Sequence, residues 1–371
     1  MFEFNQLKKV HIEISNRCQA SCPMCPRNIH SGIDNPSLVS NDWSYDDFVA
    51  IFPHDVLEQI KDITMCGTFG DPMLNNDAIR MCQYVKDTQP NIHISFHTNG
   101  SARKPEWWAE LARVMPKHHQ VVFALDGLAD THSLYRVGTT FDRVIENAQA
   151  FIAAGGRASW MFIRFKHNEH QVVQAETLAK ELGFEQFTVK NTRRFDGTNF
   201  KVYKDGAVTH VLEHPSDNTV QFVDKKDLVN YAAWPRNTDI NCFALNTNEI
   251  YIDAFHTVFP CCILSAFLYT NYDKSILEAH GLYDELTSVS DIGLPIQKQV
   301  YELVDELGGL DNINARTVGI KNILDREQWQ TIWEHKWRTQ GSIGCMVLCS
   351  ADSPYISLDD QWVEQKDITN V

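Results

Sequence analysis

Residues 13–28 read EISNRCQASCPMCPRN, and Cys18, Cys22 and Cys25 fall within eight of those positions. Three residues separate the first pair and two separate the second. Structural zinc wants four closed ligands, usually from two paired-cysteine turns. No His or Cys follows closely enough to close such a set; His30, five residues after Cys25, is the nearest. Iron–sulfur clusters are normally held by four thiolates. With three, one metal position has no protein ligand, and an open position is where a substrate can coordinate. The spacing points to catalysis rather than stapling.

Outward from the cysteines, two periodicities alternate. Short β-rich runs recur as KKVHIEIS from Lys8, DITMCG from Asp62, NIHISFHTNG from Asn91, QVVFALDG from Gln120, ASWMFIRF from Ala158 and QFTVK from Gln186. Helical patterns lie between them at residues 45–60, 77–88, 105–115, 141–153 and 171–182. Pro105 suits a helix start, and Gly155, Gly156 and Gly183 suit positions just past helix ends. The alternation predicts an α/β fold with a parallel sheet covered by helices. Six repeats allow an open doubly wound sheet or a partial barrel, and both bind ligands at the C-terminal ends of their strands. Polar and glycine-rich residues gather there: the cysteines after the first strand, GTFGDP at 67–72, HTNG at 97–100 and LDG at 125–127.

The 371 residues carry a net charge of −15, which argues against a broad nucleic-acid surface. The densest basic patch, Lys190, Arg193, Arg194, Lys201 and Lys204, reads as a solvated face. The opening MFEFNQLKKVHIEIS has neither an apolar core nor a small-residue cleavage site, and no apolar run is long enough for a bilayer. These features predict a cytoplasmic protein with no membrane partner and with reduced thiols. The ten cysteines then need a reason other than disulfides. Cys66 and Cys82, which stand alone, read as buried hydrophobes.

The pattern changes after Lys190. FDGTNFKVYKDGAV reads as an irregular hairpin, and NEIYIDAFHTVFPCC at 248–262 as strands around a turn. Residues 274–340 read as mostly helical, and Trp329, Trp333 and Trp337 recur at spacing four as a packing stripe. The remaining cysteines are Cys242, Cys261, Cys262, Cys345 and Cys349.

CQASCPMC after a first strand resembles the CxxxCxxC signature of radical S-adenosylmethionine enzymes, with Met24 where that family often has an aromatic residue. The resemblance covers roughly residues 10–190 and implies a partial (β/α)6 TIM-like barrel. It implies that Cys18, Cys22 and Cys25 hold a 4Fe–4S cluster and that S-adenosylmethionine chelates the fourth iron through its amino and carboxylate groups. One-electron cleavage then gives a 5′-deoxyadenosyl radical that takes hydrogen from substrate. FGDP at 69–72 resembles the family's Gly-Gly-Glu-Pro motif, so Gly70 and Asp71 are expected at the cofactor's amino group. TNG at 98–100 is a recurrent stretch of the family. The segment from Phe123 through Gly156 resembles the family's fourth strand and following helix, which implies Arg136 at the cofactor carboxylate. FKHNEHQ at 165–171 resembles the turn after the fifth strand, with Asn168 lining the cofactor pocket.

The second cysteine set resembles SPASM and twitch extensions of the same family, which bind auxiliary 4Fe–4S clusters. Four positions fit one cluster, so the twitch form matches better, with Cys242, Cys261, Cys345 and Cys349 as ligands and Cys262 as the alternative to Cys261. The expected organisation is a core at 8–190, a connection at 191–240 and an α+β auxiliary-cluster domain with a helical insertion at 241–371. The expected activity is hydrogen abstraction from a peptide or small molecule, with the auxiliary cluster as electron acceptor and a flavodoxin- or ferredoxin-type donor. Peptide maturases often carry an N-terminal recognition module, and only about eight residues precede the first strand, so none is expected here. The competing expectation is a non-catalytic interaction protein holding zinc on the same cysteines. Asp126, Tyr251, Asp253 and His256 are further acid–base candidates, with core or surface roles as the plainer reading.

Overall fold

The computed structural model describes residues 2–192, 194–195, 199–217, 240–270, 275, 279, 283–333, 345, 349 and 362–368. Arg193, Trp337 and residues 218–239 of the connection lie outside the described residues.

Six parallel strands stand in chain order: β1 (Lys9–Ile12), β2 (Asp62–Cys66), β3 (His93–Thr98), β4 (His118–Ala124), β5 (Ala158–Arg164) and β6 (Gln186–Asn191). The crossovers carry α1 (Tyr45–Ile51), α2 (His54–Gln59), α3 (Ala78–Thr88), α4 (Pro105–Val114), α5 (His132–Tyr135), α6 (Phe141–Ala153) and α7 (Val172–Glu181). The helix expected over 45–60 is two helices. Pro53 brings no amide hydrogen and drives Phe52 out of helical geometry, to φ −116° and ψ 61°.

Side-chain alternation separates the two faces of the sheet. Val10, Ile12, Ile63, Met65, Ile94, Phe96, Val121, Phe123, Trp160 and Phe162 are buried under the helices. Each such burial is worth about 1.5–3 kcal/mol. The intervening positions form a polar inner face: Ser95 Oγ donates to Thr64 Oγ1 at 3.1 Å, and Gln120 Nε2 donates to Ser159 Oγ at 2.7 Å and Gln186 Oε1 at 2.9 Å. This is an α/β partial barrel, and it does not close.

Past β6 come the antiparallel strands β7 (Asn199–Lys204) and β8 (Ala207–Glu213). Asp205 and Gly206 join them with φ of 52° and 78°. A two-residue hairpin turn of this hand needs positive φ at both central positions, which Asp-Gly supplies at low cost. Phe200, Val202 and Leu212 pack with Met24, Tyr135 and Phe165 in a second, smaller core, so the hairpin rides on the cysteine loop.

The sheet has nine strands rather than six. After α8 (Phe243–Thr247), β9 (Glu249–Ile252) pairs parallel to β1, and β10 (Val258–Phe259) pairs antiparallel to β9. The chain continues through α9 (Cys262–Tyr269), α10 (Tyr283–Glu306), α11 (Ile320–Leu324) and α12 (Glu327–Thr331). It returns as β11 (Trp362–Asp367), antiparallel to β6. Residues beyond 240 therefore extend both edges of the same sheet. Trp329 and Trp333 are buried with ring centroids 5.5 Å apart, as a packing stripe requires. No described helix is long and apolar enough to cross a membrane.

Candidate functional site

The chain leaves β1 over the C-terminal edge of the sheet, and backbone bonds fix the loop that follows. Ser21 N donates to Val137 O at 2.9 Å, and Cys25 N to Cys22 O at 3.0 Å. The Asn28 amide donates to Cys22 O at 3.2 Å. Cys18, Cys22 and Cys25 line a cavity of about 320 Å³, whose wall also includes Cys66, His97, Ala124, Ile163 and Lys190 at the ends of β2 to β6. Three cysteines thus share one cavity at the end of the sheet where the βα turns gather.

Burial pushes the Cys22 thiol up to about 11, with Arg136 pulling the other way. Burial also holds Cys18 above the ordinary thiol range. The thiolate is the metal ligand, so a positive metal centre must displace these protons when it binds. Among the described residues no three His, Cys, Asp or Glu side chains converge as ligands of a single ion do. His30 packs its ring on Phe200 at 4.4 Å, under the hairpin.

Gly70 and Asp71 line the cavity. A Cβ on Gly70 would overlap the Ser15 carbonyl oxygen, so only glycine lets this turn lie against the chain after β1. The Asp71 carboxylate is buried and accepts from Met73 N at 3.0 Å, Thr98 Oγ1 at 2.9 Å, Asn99 N at 2.8 Å and Asn99 Nδ2 at 2.6 Å. It organises the TNG turn. Asn99 Nδ2 in turn reaches Cys18 Sγ at 3.6 Å, and Asn99 Oδ1 accepts from Gln19 Nε2 at 2.6 Å.

Arg136 also lines the cavity. Its Nε donates to Asp126 Oδ2 at 2.5 Å in an ion pair whose acid is fully buried. Asp126 thereby aims the guanidinium at Cys22 from behind the wall. Asn168 departs from the expectation that it lines the pocket. It is fully buried, its Oδ1 accepts from Phe165 N at 2.7 Å, and its Nδ2 donates to Asp126 O at 3.2 Å and Ile163 O at 3.0 Å. Backbone groups left unpaired at the ends of β4 and β5 claim the amide, which braces the wall instead of forming it.

The four acid–base candidates also stand away from the cavity wall. Asp126 serves Arg136. Asp253 accepts from Phe255 N and Thr257 N, both at 2.8 Å, and from Tyr269 Oη at 2.7 Å, which fixes the turn after β9. His256 packs on Trp43 at 5.0 Å. Tyr251 donates to Glu13 Oε2 at 2.7 Å. Residues not singled out in the sequence do line the cavity: His97, which burial lowers to about 4 and so keeps neutral, and Tyr135. Alternation along β3 gives His97 its inward face, a signal present in the sequence. From the basic patch, Lys190 and Arg194 line the cavity as well, and Arg194 Nη1 lies 3.5 Å from Met24 O.

In the second cysteine set, burial and then the neighbouring Cys262, Cys345 and Cys242 hold the Cys261 thiol well above its ordinary value. Asn241 N, next to Cys242, donates to Cys349 O at 2.8 Å. Cys242, Cys261, Cys345 and Cys349 therefore gather in one neighbourhood from three separate stretches. Cys262 is pushed up to about 12 by burial and then by Cys66, Glu249 and Glu13, which are groups of the barrel side. Cys66 lines the cavity rather than filling core, whereas Cys82 is fully buried.

No curated protein matches the chain in sequence. Among solved structures, SuiB from Streptococcus suis bound to precursor peptide SuiA superposes with a TM-score of 0.53 at 16% identity, covering 94% of this chain and 74% of that one. SuiB bound to S-adenosylmethionine gives a TM-score of 0.49 at 17% identity over 70% of this chain, and the match spans 61% of that SuiB chain. Native anSMEcpe with bound AdoMet gives 0.45 at 16% identity, over 68% of this chain and 74% of that one. Residues 12–179 match the model of the Radical SAM superfamily, and the match contains all three clustered cysteines, Gly70, Asp71 and Arg136. Residues 12–179 therefore form a radical SAM superfamily domain, and they carry most of the partial barrel.

Proposed function

We propose that the protein reductively cleaves S-adenosylmethionine and oxidises or crosslinks a peptide or small molecule, using the cavity at the mouth of the barrel. The observation that carries this reading is the placing of Cys18, Cys22 and Cys25 around one cavity at the C-terminal ends of six parallel strands. When bound, a 4Fe–4S cluster and S-adenosylmethionine supply the electron and the 5′-deoxyadenosyl radical that abstracts hydrogen. The protein's part is to hold and to shield. Cys18, Cys22 and Cys25 supply three thiolates and leave one iron open. Arg136, held from behind by Asp126, offers its remaining N–H groups to a carboxylate. Gly70 lets the turn that lines the cavity lie against Ser15 and Asn16, and Asp71 sets the turn that carries Asn99 to Cys18. The hairpin of β7 and β8 covers the cysteine loop and keeps water from its outer side.

We assign Cys242, Cys261, Cys345 and Cys349 to an auxiliary 4Fe–4S cluster that accepts an electron. Support comes from their gathering in one neighbourhood and from the turning of Cys262 toward the barrel. On this reading residues 8–190 are the catalytic core, 191–240 connect, and 241–371 carry the second cluster. The likeness to a SuiB chain bound to a precursor peptide favours a peptide substrate. A flavodoxin- or ferredoxin-type protein is the proposed electron donor.

Anaerobic purification with iron and zinc analysis, followed by a 5′-deoxyadenosine assay with a strong reductant, tests the proposal. About eight irons per chain and reductant-dependent deoxyadenosine are expected. Stoichiometric zinc, no iron and no deoxyadenosine even with reductant overturn it. Screening peptides against small molecules in the same assay decides the substrate class.

A further inference from the structure

We infer that Glu13 and Tyr251 act as one latch that positions residues 67–71 for S-adenosylmethionine, so that the second half of the chain sets the cofactor loop of the first. The inference rests on the reading of the cavity given above.

Glu13 lies between β1 and Cys18 and is 1% exposed. Its Oε1 accepts the amide hydrogens of Phe69 and Gly70, both at 2.8 Å, and its Oε2 accepts the Tyr251 hydroxyl at 2.7 Å. Three donors satisfy the carboxylate without a cation. Tyr251 sits on β9 opposite His11 of β1, and Thr68 Oγ1 donates to its hydroxyl at 3.3 Å. The turn after β2 is thus gripped from the end of the neighbouring strand β1 and from β9 beyond it. Asp71 N adds a bond to Arg17 O at 2.8 Å.

The grip continues to the metal-binding loop. Gly70 is followed by Asp71, whose carboxylate fixes Asn99, and Asn99 reaches Cys18 Sγ at 3.6 Å. A contiguous path therefore runs from Tyr251 through Glu13, Gly70, Asp71 and Asn99 to Cys18. Glu13 lies behind the cavity wall and is a positioning residue. A carboxylate that only filled core space would not need two successive turn amides and a tyrosine from a strand 238 residues away.

The test uses the full chain and two readouts. Amide hydrogen exchange over residues 67–71, measured before any cluster is loaded, reports the latch directly. Glu13→Ala is expected to speed exchange there by at least about tenfold and Tyr251→Phe by about threefold, following the worth of single hydrogen bonds. Glu13→Gln stays close to the parent. Its Oε1 still accepts both amides, and its Nε2 donates to Tyr251 Oη, whose hydrogen then turns to Thr68. Because the two residues act as a unit, Glu13→Ala with Tyr251→Phe exchanges no faster than Glu13→Ala alone. After anaerobic reconstitution, the dissociation constant for S-adenosylmethionine follows the same order while iron per chain stays at the parent level. Tyr251→Phe and Glu13→Gln carry the test if Glu13→Ala does not fold. Parent-like exchange in Tyr251→Phe, or a double variant that exceeds Glu13→Ala by the full Tyr251→Phe factor, overturns the latch. Parent-like S-adenosylmethionine affinity in every folded variant overturns its role toward the cofactor. A parent chain that holds iron but binds no S-adenosylmethionine defeats the functional reading instead, and the exchange data still decide the latch.

Discussion

The two cysteine regions are built in opposite ways. Cys18, Cys22 and Cys25 share one loop, closed by local bonds such as Cys25 N to Cys22 O and bordered by Asn99 and Arg136. Cys242, Cys261, Cys345 and Cys349 come from three stretches that meet only when α9 and the segments around residues 241 and 349 come together. The first arrangement is a property of eight residues resting on a barrel edge. The second is a property of the folded second half. A loop site tolerates distant change and fails at its own residues. An assembled site fails wherever its assembly does.

Removing one thiol from each region gives the widest separation. Cys22→Ala is expected to lower reductant-dependent 5′-deoxyadenosine by about a thousandfold or more, whereas Cys345→Ala keeps it within about tenfold. Each variant should lose about four irons per chain. Equal loss of deoxyadenosine in both would erase the distinction between catalytic and auxiliary sites.

Glu13 joins the two regions, and pH sharpens its part. Burial raises it from 4.5 to about 7, with the Tyr251, Phe69 and Gly70 bonds pulling it down. The folded chain therefore holds an extra proton between those values, and stability falls as pH rises through that window, then levels above it. Glu13→Gln removes this slope. Urea unfolding across pH 4.5 to 7 should show Glu13→Gln gaining on the parent by roughly 3 kcal/mol, and a pH-independent difference would refute the assignment.

Asp71→Asn places an amide where Asn99 N and Nδ2 donate, leaving buried donors unpaired. It should cost about 2–3 kcal/mol by urea unfolding and loosen the first region without touching iron at the second. The smallest effect belongs to the hairpin. Gly206 has φ of 78° and nothing near its missing Cβ, so Gly206→Ala should cost only about 1 kcal/mol, read as a small drop in melting temperature.

What could be read in the sequence follows the same divide. The spacing of Cys18, Cys22 and Cys25, the glycine at 70 and the strand–helix alternation are local, and local rules found them. The break at Pro53 is equally local, but the amphipathic pattern runs through it and hid it. Asn168 was visible as a polar residue after β5, yet which groups its amide meets depends on the unpaired Asp126 and Ile163 carbonyls. Glu13 follows β1 and continues its alternation at an inward position, which marks it as unusual without naming Tyr251. Strand β9 was legible as a strand, but its place beside β1 was not, because nothing in either segment records a partner so far along the chain.

Lys9 pairs with Glu249, so the first strand synthesised waits for one of its last neighbours. At about 5–20 residues per second, that edge stays bare on the ribosome for tens of seconds. A bare strand edge invites pairing with another nascent chain. Iron delivered in that interval would meet a cysteine loop whose backing turn still lacks Tyr251. On the proposed function, cluster insertion is therefore expected to follow the pairing of β9 with β1.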